Sequence, residues 1–465
     1  MVLSVREYLD GVKRGEINVE ETISKAIESS KRIQKEYSPF ITLLDNPKVN
    51  KNKNGAIYGL PYTVKDSICT KGIQTTAGSK ILEGYVPEFD ATVVDKATNS
   101  GGVMIGKSAL DEFGFGTFST NCAYGIPKNP HDPSRSCGGS SGGAGCISAI
   151  SDFPHIAIAQ STGGSITAPA AFTATVGLTP TYGRVSRYGL IDYSNSMDKI
   201  GVISKSVYDS ALMLSIISGH DDKDSTSSEI KNEDFTKYEK KGVAGMRIGI
   251  PKEYMGDGVD KSIKQEVSKQ ADALESMGAK IGDVSLPTTN YAIPAYYIIA
   301  ISEASTNLAR YCGLRYGMQF DMDGGNFDDY FSTVRSAGFG REAKRRIILG
   351  TYARMAGFRD AYYLKALRVR AKIVKEFKVV FKNFDALLAP SMPILPPKFS
   401  EIEKLTPIQT YNMDILTIGP NMAGMPTLSV PSGKSNGLPI GIQLIADHFN
   451  EGTLIAAGCA IEEMK

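Results

Sequence analysis

Short apolar runs alternate with helix-patterned stretches along almost the whole sequence, and this alternation constrains the fold more than any other feature. Tyr62-Thr63-Val64, Val103-Met104-Ile105 and 155–159 are too short to be helices and read as buried strands. Strands separated by helices bury both faces of a sheet, so the predicted class is α/β: a mixed β-sheet covered by helices on both faces. Two helices open the chain, and Ser4-x-x-Glu7 and Asn18-x-x-Glu21 supply a capping box for each. The polar stretch 220–241 interrupts the alternation as a surface excursion. Beyond it, 247–251 and 280–286 read as strands around a helix at 261–277, and 386–388, 427–430 and 440–445 read as further strands. Because the pattern resumes, one continuous sheet is expected, with no internal repeat.

Length and charge narrow the function. The 465 residues suffice for a sizeable core, and Lys plus Arg, 52, nearly balances Asp plus Glu, 50. A net charge of +2 gives no global electrostatic case for a dedicated nucleic-acid or membrane binder. The six cysteines (Cys69, Cys122, Cys137, Cys146, Cys312 and Cys459) are scattered without a C-x-x-C and read as free thiols, with no metal site. The first residues lack the charged-then-apolar order of a signal peptide, and no apolar run approaches a membrane span. The expected location is the cytoplasm or an organellar matrix. Only 4 histidines are present, against 47 glycines, about 10% of the chain where roughly 7% is usual.

Two motifs mislead. Gly101-Gly102-Val103-Met104-Ile105-Gly106-Lys107-Ser108 satisfies the phosphate-binding G-x-x-x-x-G-K-[ST] pattern, but a helix-like segment precedes it where a strand is required. Val103-Met104-Ile105 makes a better strand than a phosphate cradle. Gly138-Gly139-Ser140-Ser141-Gly142 satisfies G-x-S-x-G, the nucleophile elbow of α/β-hydrolases. It follows what reads as a polar loop, 129–136, instead of an apolar strand. A Ser/His hydrolase using Ser140 and the late His448 stands as an alternative.

The glycine- and serine-rich segments 138–145 and 161–166 sit inside patterned α/β sequence, not between domains. Glycine lets backbone N–H groups crowd toward one point, as an oxyanion hole requires. No histidine is suitably arranged to activate a serine here. A lysine kept neutral by burial can do that work, and Lys65, at the end of the Tyr62-Thr63-Val64 strand, could be presented to these loops.

Gly59-Leu60-Pro61-Tyr62-Thr63-Val64-Lys65-Asp66, Gly138-Gly139-Ser140-Ser141-Gly142-Gly143, Ser161-Thr162-Gly163-Gly164-Ser165-Ile166 and the run 176–186 occur in this order, and together they resemble the amidase signature family. The resemblance covers nearly the whole chain and is nearest to the branch that supplies glutaminase subunits to tRNA-dependent amidotransferases. It implies a single amidase domain over 1–465. Within it, N-terminal helices (1–55) pack on the core, 59–220 holds the catalytic loops, and 242–465 carries the remaining sheet and substrate-binding helices.

The resemblance also implies a Ser–Ser–Lys triad, with Ser165 as nucleophile, Ser140 as proton relay and Lys65 as base. Thr162, Gly163, Gly164 and Ser165 would hold the oxyanion by their N–H groups. Glutamine would be gripped by Arg346 at its carboxylate and Asp414 at its amine, with Tyr296 beside them. The expected partners are a B subunit, a small C-type subunit and, mainly through the B subunit, a misacylated tRNA: Glu-tRNA(Gln), or Asp-tRNA(Asn). No cofactor is expected on this chain; ATP and Mg²⁺ would act at the partner. A freestanding amidase on another small amide is the nearer alternative, and the paired charges of Arg346 and Asp414 favour an amino-acid amide over a lipid amide.

The match departs from the family at particular places. Ser161 and Thr167 replace an expected acid and base, Thr179 replaces a lysine, and Phe118-Ser119-Thr120 lacks an expected acidic residue. The spacing from Ser140 to Ser165 is one residue longer than usual. Losing both members of an ion pair is less disruptive than losing one, so a neutral replacement is expected at 161 and 167. From 344 to 382 there are twelve Lys or Arg against Asp360 and Glu376, which reads as a solvated basic face more than as an RNA-binding patch.

Overall fold

A computed structural model describes residues 3–50, 52–321 and 325–464. Its strands are β1 Phe40–Leu43, β2 Pro61–Lys65, β3 Val103–Ser108, β4 Lys128–Asn129, β5 Asp132–Ser136, β6 Ile156–Ser161, β7 Val176–Thr179, β8 Lys199–Ser204, β9 Arg247–Pro251, β10 Lys280–Val284, β11 Ala386–Pro390, β12 Thr427–Ser435 and β13 Leu438–Ala446. Eleven form one sheet in the order β1-β3-β2-β6-β8-β7-β12-β13-β11-β9-β10. β2 runs parallel to β3 and β6, and β9 runs parallel to β10 and β11, while the central pairings are antiparallel. The sheet is therefore mixed. It joins both halves of the chain, because β7 pairs with β12.

Successive side chains of a strand point to opposite faces. On β6, Ile156 and Ile158 enter a core shared with Tyr62, Val64 and the helices Val5–Lys13, Val207–Ile217 and Glu451–Glu463. Ala157 and Ala159 instead pack with Ala144, Ile166 and Ile203, under the helix Gly142–Ile150. A third core lies where helices Ala292–Asn307, Arg341–Arg354, Lys365–Val380 and Ile415–Met422 meet Leu387, Ala389 and Ile445. Helices cover both faces, the α/β arrangement that the alternation implies.

Several local expectations change. Ser4 and Glu7 form the reciprocal capping box, but Asn18 only accepts from the Glu21 amide, and the Glu21 side chain turns to Lys25. The segment 129–136 is not a loop: β4 and β5 pair as a small ribbon that delivers the chain to Gly138. A run this polar carries no hydrophobic strand signal, so only its pairing reveals it. The polar stretch 220–241 does run irregularly, although a short turn, Phe235–Tyr238, buries Phe235. Val103–Ser108 is a strand, and Lys107 within it is buried, bonded to Ile68 O and Thr75 Oγ1 and 3.4 Å from Asp66 Oδ1. That lysine is structural and cradles no phosphate. Among the described residues no helix is long and apolar enough to cross a membrane.

Candidate active site

Alternation along β2 places Lys65 on the face opposite Tyr62 and Val64, at the strand's last position and fully buried. Its Nζ lies 2.7 Å from Ser140 Oγ, 2.9 Å from Gln160 O and 3.0 Å from Gln160 Oε1. Burial pulls its pKa down from 10.5 to about 7, against the charges of Asp111 and Asp198, which favour the ammonium. A lysine so placed is largely neutral just above neutral pH and can take a proton.

Ser140 is delivered by glycines that must be glycine. Gly138 has φ +77°, and a Cβ there would press on the Ala168 carbonyl. A Cβ on Gly139 would collide with the Asp111 carboxylate and the Ser119 main-chain nitrogen. Asp111 ties this turn down, since its carboxylate accepts from the Ser119 and Asn121 amides and its own N–H donates to Ser140 O. The helix Gly142–Ile150 starts two residues later.

Beyond β6 the chain turns through 162–165. The main-chain N–H groups of Thr162, Gly163, Gly164 and Ser165 donate to no acceptor among the described residues. Buried N–H groups are almost always paired, so a run of unpaired ones marks a place for an anion. The same turn carries Ser165, 6% exposed, whose carbonyl accepts from the Ser141 amide. The Ser165 hydroxyl has no hydrogen-bond partner among the described residues. The two serines that the motifs single out are thus brought to adjoining turns, with Lys65 beneath Ser140.

The substrate-site residues also converge. Tyr296, on helix Ala292–Asn307, sits over this turn: a Cβ on Gly163 would lie 3.0 Å from its hydroxyl. Asp414 is buried, accepts from Tyr297 Oη at 2.9 Å and Thr117 Oγ1 at 3.1 Å, and is pushed up to about 6 by burial. Arg346 is 3% exposed, so it does not belong to a solvated basic face. Its guanidinium donates to Glu342 and to the Tyr193 hydroxyl, and lies 5.0–5.5 Å from the ring centres of Phe115, Tyr193, Tyr297 and Tyr411. A cavity of about 240 Å³ opens against Thr117, Arg346 and Tyr411. Sequence patterns do not single out Asp111, Gln160, Asp198, Tyr193, Tyr297 or Glu342. Gln160 meets Lys65 across 95 residues, Tyr297 meets Asp414 across 117 and Tyr193 meets Arg346 across 153, so the fold and no local pattern brings these pairs together.

His448 is not joined to Ser140. Its ring is bonded to Asp447 and to the Ala423 carbonyl, while Ser140 Oγ is bonded to Lys65. The neutral positions 161 and 167 are buried, and Ser161 Oγ donates to Gly163 O. Directly across from Ser161 on β8 stands Lys199, buried, bonded to Met425 O and lowered by burial to about 7. Thr179 Oγ1 is buried without a partner. The basic stretch breaks into two helices around 355–364, and Arg370 turns inward to Ser196 and Met422 O.

Comparison with known proteins places this geometry in context. The Amidase family model matches residues 16–455. The chain is 42% identical to the A subunit of glutamyl-tRNA(Gln) amidotransferase from Thermoanaerobacter pseudethanolicus, covering 99% of this chain and 96% of that protein. It is 43% identical to the protein of the same name from Persephonella marina, covering 99% and 97%. Among solved structures, the corresponding glutamyl-tRNA(Gln) amidotransferase component from Thermotoga maritima, again the A subunit, superposes with a TM-score of 0.83 at 37% identity, covering 99% of this chain and 94% of that one.

Proposed function

The chain belongs to the amidase signature family, and from that premise we propose that it is the glutaminase subunit of a tRNA-dependent amidotransferase. The observation that carries the reading is the 2.7 Å contact between the buried Lys65 amine and Ser140, set beside the unpaired N–H groups of 162–165. This sets a base and an anion site on adjoining turns that carry Ser140 and Ser165.

In the reaction, Ser165 Oγ attacks the side-chain amide carbon of glutamine. Its proton passes to Ser140, and the Ser140 proton passes to Lys65 Nζ. The carbonyl oxygen becomes an oxyanion held by the N–H groups of Thr162, Gly163, Gly164 and Ser165. Collapse breaks the C–N bond, and the proton returns through Ser140 to the departing nitrogen, releasing ammonia and leaving a glutamyl ester on Ser165. Water, deprotonated by the same relay, cleaves the ester and frees Ser165.

Arg346 takes the α-carboxylate and Asp414 the α-amine, with Tyr296 closing the site over Gly163. Asp414, raised to about 6, is still mostly ionised at the pH where Lys65 is neutral, so the grip and the base operate together. The ammonia goes to a partner B subunit braced by a small C-type subunit. There ATP and Mg²⁺ activate the carboxyl of Glu-tRNA(Gln), or of Asp-tRNA(Asn), and the partner holds most of the tRNA.

The test is ammonia release from glutamine by the chain with and without co-purified partners. Ser165→Ala and Lys65→Ala should abolish it and His448→Ala should leave it intact. Loss with His448→Ala but not with Lys65→Ala would overturn the mechanism. Preference for a different small amide, without partners, would identify a freestanding amidase instead.

A further inference from the structure

We propose that Gln160 is a positioning residue that aims the lone pair of the neutral Lys65 amine at Ser140. The inference rests on Lys65 being the base of the proposed reaction. A neutral amine has two N–H donors and one lone pair, and Lys65 Nζ has three neighbours within hydrogen-bond reach. Two of them, Gln160 O and Gln160 Oε1, can only accept. Once they take both N–H groups, the remaining direction is the lone pair, and it faces Ser140 Oγ at 2.7 Å. Without Oε1, the amine could turn an N–H toward Ser140 and present no base.

The amide is held in the required orientation from behind. Gln160 Nε2 donates to Thr162 Oγ1 at 2.7 Å and to Asp198 Oδ1 at 3.0 Å, and Thr162 Oγ1 itself donates to Asp198 Oδ1. The other Asp198 oxygen accepts from the Tyr193 and Ser194 amides. Burial raises Asp198 to about 7, and while it is ionised every contact to it is a donor, so a flipped amide would set Oε1 against Oδ1 and turn Nε2, a donor, toward Lys65. The chain 160–162 therefore orients the base at one end and contributes an N–H of the anion turn at the other. The charged groups facing Lys65 are Asp111, from the loop after β3, and Asp198, from the approach to β8.

The test reads the base without relying on any particular amide. The full chain, with any partners that co-purify, is labelled with a fluorophosphonate, and the rate is followed across pH. Ser165 Oγ bonds to phosphorus, fluoride leaves, and the serine proton passes through Ser140 to Lys65. Gln160→Met keeps the side chain's bulk and removes the acceptor. It should label about tenfold or more slowly at the plateau, a partial loss of general-base catalysis, and move the acidic limb to lower pH, because Oε1 favours the ammonium. Gln160→Glu places a carboxylate beside Lys65 and should move that limb to higher pH. Opposite shifts support the proposal. An undiminished plateau rate in Gln160→Met, a limb unmoved in both variants, or limbs moved the same way would overturn it, and if Gln160→Met does not fold, Gln160→Leu is read by the same two measures. Undiminished labelling of Ser165→Ala would overturn the Ser165 assignment beneath it.

Discussion

Lys65 illustrates how much a single buried charge governs. Its pKa is lowered by burial to about 7, so activity should rise with pH through that value and fall away below it, which a pH profile of kcat/KM reads directly. The same shift has a stability consequence. Between about pH 7 and the ordinary lysine range, the unfolded chain binds a proton that the folded chain does not, so burying this amine opposes folding there, and less so as pH rises. Lys65→Met should therefore abolish glutamine hydrolysis while raising the melting temperature, with the gain shrinking as pH approaches 10; calorimetry across pH checks this. The strand-end position of Lys65 and the glycine- and serine-rich loops that hold Ser140 and Ser165 could be read from the sequence itself, whereas the roles given to the three rest on the family resemblance. Gln160 and Asp198 were not legible, since one contact spans 95 residues and the other 38. Only the fold makes them neighbours.

At the level of elements, the end of β6 and the start of the helix Thr167–Thr173 carry the two neutral replacements, Ser161 and Thr167. By the ion-pair argument from sequence, restoring either charge alone should destabilise the protein, while restoring both should be tolerated. Lys199, opposite Ser161 and on the same face by antiparallel pairing, breaks that symmetry. Thr167→Arg alone should cost about 3–5 kcal/mol as an unpaired buried charge. Ser161→Asp should cost less, because Lys199 can take a proton to meet it, and the double variant should be tolerated. Urea unfolding of the three proteins measures this, and equal losses for both single variants would contradict it. Strands rich in β-branched residues, such as β2 and β6, were readable from their composition. The ribbon of β4 and β5 was hidden because Asp132, Pro133 and Ser134 carry turn chemistry, whereas Asp132 pairs with Asn129, Ser136 with Lys128, and Arg135 bridges to Lys398.

Across the whole molecule, the sheet is the unit that makes the site. Lys65 comes from β2, the serines from turns beside β6, and Arg346 and Asp414 from helices packed on the far half, and β7 pairing with β12 locks the halves together. The excursion at 220–241 therefore connects one domain internally. Cleavage of its exposed part by limited proteolysis should leave two fragments that co-elute and melt together, whereas 1–220 expressed alone should not fold; independent melting of the fragments would indicate two domains. The resumption of the strand pattern after residue 241 made this continuity legible, but not the strand order, which depends on long-range pairing. What becomes attached to Ser165 during turnover decides the mechanism most directly. Acid-quenching the chain during turnover of glutamine and mapping the peptides by mass spectrometry should find a glutamyl ester on Ser165, absent from Lys65→Ala and present in His448→Ala. An ester on Ser140, or one that forms undiminished in Lys65→Ala, would contradict it.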